Sequence, residues 1–318
     1  MGKPASIPWK LLTGITLSAL IMVAVFRRIE AHGVRDALLR IHLAWLFPAI
    51  AVFGIALACN AMRWRVALLH GGVSAGVGVI MRAAWVGHFF NLILFGPTGG
   101  DIVKSALFAR WQQLRMTQVL AASIVDRLFS IGGSLLFLIV TLGLMGIAES
   151  VAWPSELKLG LPHYWWALPL ALIIAILVLA RSPWRRHPFL HTTMASLMTS
   201  LRQFRTKPEI AITGCLLALA AQALLSCILV LCLRAVTRSD FPWVELAWTF
   251  PVIALLASIP LTVGGSGLRE GAALILLSRY GVPAEDTVAA GLLTTLIYFL
   301  WAAAGGIIGW ITNRRIKN

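Results

Sequence analysis

Charge is what this chain has least of. Asp, Glu, Lys and Arg make up only 12% of its 318 residues, and 59% are hydrophobic. A water-soluble domain carries about 25% charged residues, and the mean hydropathy here is +0.86. A soluble globular protein is excluded, and lipid must be the main solvent. Acids are scarcer still, at 12 against 27 Lys and Arg, for a formal charge of +15. In a polar chain that balance would suggest nucleic acid, but a nucleic-acid reader keeps its cations on a hydrated face. Here they lie between apolar runs, so no nucleic-acid partner is expected. Cysteine is limited to Cys59, Cys215, Cys227 and Cys232, all inside apolar segments and without a CxxC pair, which argues against a disulfide framework or a zinc site. His88, His163, His187 and His191 are scattered, and HExxH and P-loop patterns are missing, so no catalytic set is visible and neither cofactor nor metal is expected. The first apolar run starts at Trp9 behind Lys3 and has no small-x-small cleavage pattern. It reads as a retained span, with no soluble domain on either side of the membrane part.

Crossing about 30 Å of hydrocarbon takes roughly 20 mostly apolar residues in a helix. Six segments qualify: 9–26, 43–62, 118–147, 164–180, 209–233 and 287–311. Two more, 79–110 and 245–278, are interrupted by Pro97-Thr98-Gly99-Gly100 and by Pro260 through Gly267. Proline and glycine weaken a helix there, so each is predicted to be a re-entrant hairpin of two short helices. The expected fold is an all-α polytopic membrane protein in one domain, 1–318, with about six spans and two re-entrant hairpins. With the N terminus inside, the inner segments hold seventeen cations, Arg63 and Lys104 among them, against the single acid Glu209; the outer ones hold eight of each sign. That asymmetry puts both termini in the cytoplasm. The cations at 27–42 fit this scheme least and suggest an amphipathic helix at the interface. The halves 9–147 and 164–311 share the order span, span, hairpin, span in opposite orientations. Inverted repeats with interrupted helices in matching positions are a way to build a midplane binding site.

Ionisable residues at membrane depth cost about 2.5–3.5 kcal/mol each on an insertion scale and are usually paired or functional. The first group surrounds the first break: His88, Asn91, Gly99, Gly100, Asp101 and Lys104. Asp101 and Lys104 are three apart and can pair on one helix face. Asp101 is also expected in the first helical turn, as a cap favoured by the dipole. The second group is Asp126-Arg127 in the third span. Adjacent residues point about 100° apart on a helix, so at least one of them must look elsewhere for a partner. Arg127 is expected to reach Asp101, with Asp126 capping or facing a watery cavity. A buried ion network that fixes the hairpin to the span accounts for the same residues equally well. The third group is Gly264, Gly265, Gly267, Arg269 and Glu270, where converging backbone N–H groups, a helix N terminus and a guanidinium suit a phosphate. A glycine-enabled turn with a capping glutamate is the plainer alternative.

Three blocks carry a resemblance. Asn91 through Lys104, Asp126-Arg127 and Pro260 through Glu270 resemble the signature segments of the lysylphosphatidylglycerol synthase/flippase transmembrane family. Asp101 and Asp126 stand where that family usually has glutamate, and Lys104 where arginine is common. The resemblance implies a multi-pass protein of the bacterial inner membrane that moves or presents polar lipids, with two hairpins meeting centrally. Full synthases of the family add an aminoacyl-transferase domain; without one, this chain is not expected to make lysylphosphatidylglycerol alone. The leading function is a lipid translocase or lipid-handling transporter whose midplane groove takes a polar headgroup. The alternatives are an enzyme, or enzyme partner, in polyprenyl, hopanoid or glycolipid metabolism, and a proton-coupled carrier of a small solute. The expected partners are membrane phospholipids or other polar lipids, then a lipid-synthesising enzyme or a second copy of the chain.

Overall fold

The computed structural model describes residues 31–93, 97–144, 208–237, 246–257 and 268–317, together with Thr16. The expected spans 9–26 and 164–180, and Gly264, Gly265 and Gly267, lie outside the described residues. The described residues form helices joined by turns and short loops: α1 (Ala31–Leu39), α2 (Leu43–His70), α3 (Val77–Ile93), α4 (Pro97–Trp111), α5 (Met116–Leu144), α6 (Pro208–Val236), α7 (Thr249–Ala257), α8 (Leu268–Ser278) and α9 (Ala284–Lys317). Four of them are long and apolar enough to cross a membrane: α2, α5, α6 and α9 over Ala284–Thr312.

Both interrupted segments fold as pairs of short helices that pack on each other, α3 with α4 and α7 with α8. At about 1.5 Å per residue the longest of these, the 17-residue α3, measures roughly 25 Å and falls short of a bilayer core. The first break is not where the glycines suggested. Helix α4 begins at Pro97 and runs through Gly99 and Gly100, because proline at a helix's first position loses only an N–H that has no helical acceptor. The glycines serve close packing instead. A Cβ on Gly100 would run into the backbone oxygen of Gly87 and the side-chain oxygen of Asn91, so only glycine lets α4 lie this close to α3. Trp248 Nε1 donates to the Tyr280 hydroxyl at 2.7 Å, joining the two ends of the second pair.

Helices α2 and α6 form the middle of the bundle and run antiparallel, with His42 N donating to Ala235 O at 2.8 Å where α2 starts and α6 ends. Ala49 and Phe53 of α2 share a core with Ile228, Val230 and Leu233 of α6. Small residues at such a contact let the backbones approach, which matters where lipid supplies no hydrophobic drive to association. The remaining contacts follow a pattern. Helix α3 packs on α9 as α7 does on α5, α5 on α6 as α9 on α2, α2 on α5 as α6 on α9, α2 on α3 as α6 on α7, and α4 on α5 as α8 on α9. Exchanging α2, α3, α4 and α5 for α6, α7, α8 and α9 maps each of these contacts onto another. The cation-rich stretch near the N terminus includes α1, which packs on α9, with Arg40 4.0 Å from Asp286.

Candidate functional site: the polar centre around Asp101, Arg127 and Tyr298

Asp126 and Arg127 part company, as the 100° step between them requires. Arg127 Nε donates to Asp101 Oδ2 at 2.8 Å, and its Nη2 reaches the same oxygen. Lys104 Nζ lies 3.1 Å from Asp101 Oδ1, one turn further along α4. One carboxylate thus receives two cations from two helices. The expected capping role does not hold: with α4 starting at Pro97, Asp101 lies past the first turn, where the backbone N–H groups are already used within the helix. Lys104 also stands over the Trp64 ring, 4.4 Å from its centroid, a cation–π contact.

Asp126 faces neither a cap nor a cavity. It is 5% exposed and takes two hydrogen bonds from Arg63 of α2, at 2.7 Å from Nε and 3.4 Å from Nη2. Arg63, read from the sequence as a loop cation, is 6% exposed inside α2. Beside it, Trp64 Nε1 donates to Ser123 Oγ at 3.0 Å, and Ser123 and Ser105 hydroxyls lie 2.9 Å apart. These bonds tie α2, α4 and α5 together under the Asp101 group. The two ionic groups differ in access: the Arg127 side chain is 44% exposed, against 8% for Arg63.

Tyr298 on α9 brings in the second hairpin. Asn91 of α3 hydrogen-bonds its hydroxyl, and the charges of Asp101, Arg127 and Arg269 all act on it. Asn91 Oδ1 is buried without a partner against Gly100, so it is the amide N–H of Asn91 that donates. His88 packs its ring on Tyr298, with centroids 4.1 Å apart, and Phe53 sits 5.6 Å from both rings. His88 Nε2 is also 3.3 Å from the Tyr298 backbone oxygen. Residue 298 is the midpoint of the apolar stretch Ala284–Thr312. Helices α3 and α8 both pack on this spanning helix, with Asn91 and the charge of Arg269 near enough to act on Tyr298. Arg269 is exposed and Glu270 half-buried, in the first turn of α8. Among the predicted residues, the structure gathers Asn91, Gly100, Asp101, Lys104, Arg127 and Arg269 around one centre and turns Asp126 away to Arg63. Gly99 sits half-buried in the first turn of α4.

This arrangement, two packed hairpins whose ends carry an Asn-through-Lys block and an Arg-Glu pair about a central span, can now be set against known proteins. The profile of the lysylphosphatidylglycerol synthase transmembrane region matches residues 11–306. The chain belongs to that family. Membership and the four apolar helices make it a multi-pass membrane protein of a lipid-handling family. No curated protein sequence is matched.

Arg63, beside the centre, and Tyr298, within it, were not singled out as site residues by the sequence reading. Arg63 was hidden because it ends an apolar run and so resembled a loop charge. Tyr298 was hidden because it is uncharged within an apolar run. It is one of only 3 tyrosines, and a hydroxyl at mid-span depth calls for a hydrogen-bond partner, which is the signal that would have flagged it.

Proposed function

We propose that this chain is a membrane lipid translocase or lipid-handling transporter that takes the polar headgroup of a lipid between two re-entrant hairpins, while the acyl chains stay in the bilayer. The observation that carries this reading is that both hairpins pack on one spanning helix, with Asn91 and the charge of Arg269 acting on Tyr298 at its midpoint. The short hairpin helices support re-entrance, since no arm alone covers the hydrocarbon. The exchange of contacts between α2–α5 and α6–α9 supports an inverted repeat, and the antiparallel run of α2 and α6 fits opposite orientations of the two halves. Arg127 and Arg269 are the accessible cations, and a guanidinium can meet a phosphate through two parallel hydrogen bonds. Lys104 and Asp101 hold Arg127 in place and trim the charge. Glu270 and the glycines Gly264, Gly265 and Gly267 complete the second side in this reading. In this reading the membrane is a bacterial inner membrane, as the family resemblance implies, and the positive-inside count favours both termini in the cytoplasm.

Reconstitution into vesicles with head-labelled phospholipids in one leaflet tests the proposal. The expected result is faster loss of asymmetry than in protein-free vesicles, and much slower loss with Arg127→Gln. A leaflet distribution unchanged by the protein across a broad lipid panel would overturn it.

A further inference from the structure

The hydroxyl of Tyr298 has one hydrogen bond and a hydrogen still to place. Its ring is held on one side by His88, with centroids 4.1 Å apart, and edge-on by Phe53 at 5.6 Å. Asn91 supplies the one bond, and it does so through its amide N–H. Its Oδ1 is buried where a Gly100 Cβ would stand, against a Cα hydrogen that an oxygen can accept weakly and an N–H cannot. With Asn91 on the lone pair, the O–H hydrogen of Tyr298 needs an acceptor of its own. Among the described residues none takes it. Asp101 acts on Tyr298 through its charge alone, its two oxygens being held by Lys104 and Arg127. A hydroxyl hydrogen without an acceptor is costly away from water, so the centre is completed by a group that accepts.

The surroundings narrow what that group is. The charges of Arg127 and Arg269 both reach the same hydroxyl, so the acceptor lies among donors brought by α5, α8 and α9. A phosphate oxygen accepts from all of them, whereas an ammonium group brings only hydrogens. We propose that the Tyr298 hydroxyl donates its hydrogen to a phosphate oxygen of the bound lipid, with Asn91 aiming it. The proposal rests on the lipid-handling reading and adds a binding residue to that site.

The test is native mass spectrometry of the purified full-length protein in micelles containing equal amounts of phosphatidylglycerol and a monoglucosyl diacylglycerol, which has no phosphate. Tyr298→Phe should cut retention of phosphatidylglycerol about tenfold, as expected for losing one hydrogen bond to a charged group, and leave the glucolipid unchanged. Because that substitution also strands the Asn91 N–H, the double change Asn91→Leu with Tyr298→Phe separates structure from binding. It should restore the detergent unfolding midpoint without restoring retention, and it decides the matter if the single variant does not fold. Wild-type retention of phosphatidylglycerol in Tyr298→Phe would overturn the proposal, by giving the hydrogen to Asn91 or to water. Equal loss of both lipids, or recovered retention in the double variant, would overturn it by making the hydroxyl structural. Displacement of phosphatidylglycerol from the wild type by millimolar inorganic phosphate would overturn it too, by making the ligand free phosphate. The two readings fail separately. A wild type that moves no lipid, yet loses phosphatidylglycerol on Tyr298→Phe, removes movement and keeps the contact, whereas movement beside retention that Tyr298→Phe leaves intact removes the contact and keeps movement.

Discussion

Asp126 and Arg127 are consecutive on α5, yet one is sealed among helices and the other is open. The Arg63–Asp126 pair is buried on both sides and bidentate. The Asp101 group shares one carboxylate between two cations and leaves Arg127 nearly half-exposed. A buried pair in which each partner satisfies the other has nothing to offer a ligand, and its worth shows chiefly when one member is removed. A cation that keeps open surface after pairing can take an anion as well. Position in the chain therefore says little about role; access decides it.

That contrast can be broken experimentally. The largest effect on stability is expected from Asp126→Ala, which strands Arg63 as a buried, unpaired charge and should cost about 3–5 kcal/mol, seen as a large fall in the detergent unfolding midpoint. The double change Arg63→Met with Asp126→Leu should recover most of it, because an apolar pair of similar volume often matches a buried ion pair. No recovery would mean that the pair does more than hold α2 to α5. Gly100→Val comes next. It forces α4 away from Gly87 and Asn91, at about 1–3 kcal/mol for overpacking, and should slow lipid movement by spoiling the Asn91–Tyr298 contact. Ser123→Ala removes the acceptor of Trp64 and a partner of Ser105, for about 1 kcal/mol. The smallest effect on stability, about 1 kcal/mol for a pair whose guanidinium is nearly half-exposed, is expected from Arg127→Gln, which should nonetheless reduce lipid movement far more than Arg185→Gln or Arg186→Gln. Equal tolerance at all three arginines would show that the open group is as architectural as the sealed one.

Much of the fold could be read from the sequence because membrane segments obey few rules. Runs of about 20 apolar residues located α2, α5, α6 and α9, and the two Pro/Gly interruptions located both helix pairs. Ends were harder. Helix α2 runs to His70 rather than stopping at 62, because Asp126 neutralises Arg63 and removes the reason for the chain to leave the helix there. The first break was misplaced for a related reason: glycine is a weak helix former in isolation, but in α4 it gains contact with α3 that a side chain would forbid. Within the site, the geometry of adjacent residues on a helix showed that Asp126 and Arg127 need separate partners, and the expected pairing of Arg127 with Asp101 is the one found. The partner of Asp126 depended on which helix lay alongside, and spacing along one chain does not carry that.

Arg127 lies eleven residues from the start of α5, roughly 16 Å along the axis, with its guanidinium partly uncovered. A lipid leaning on that side of the helix meets a fixed charge at a level where its neighbours meet only hydrocarbon. Such a charge draws water and phosphates inwards and thins the leaflet around it. On the proposed lipid-handling reading, the bilayer beside this protein would be narrower than the bilayer elsewhere, and a polar group crossing there would have a shorter dry distance to travel.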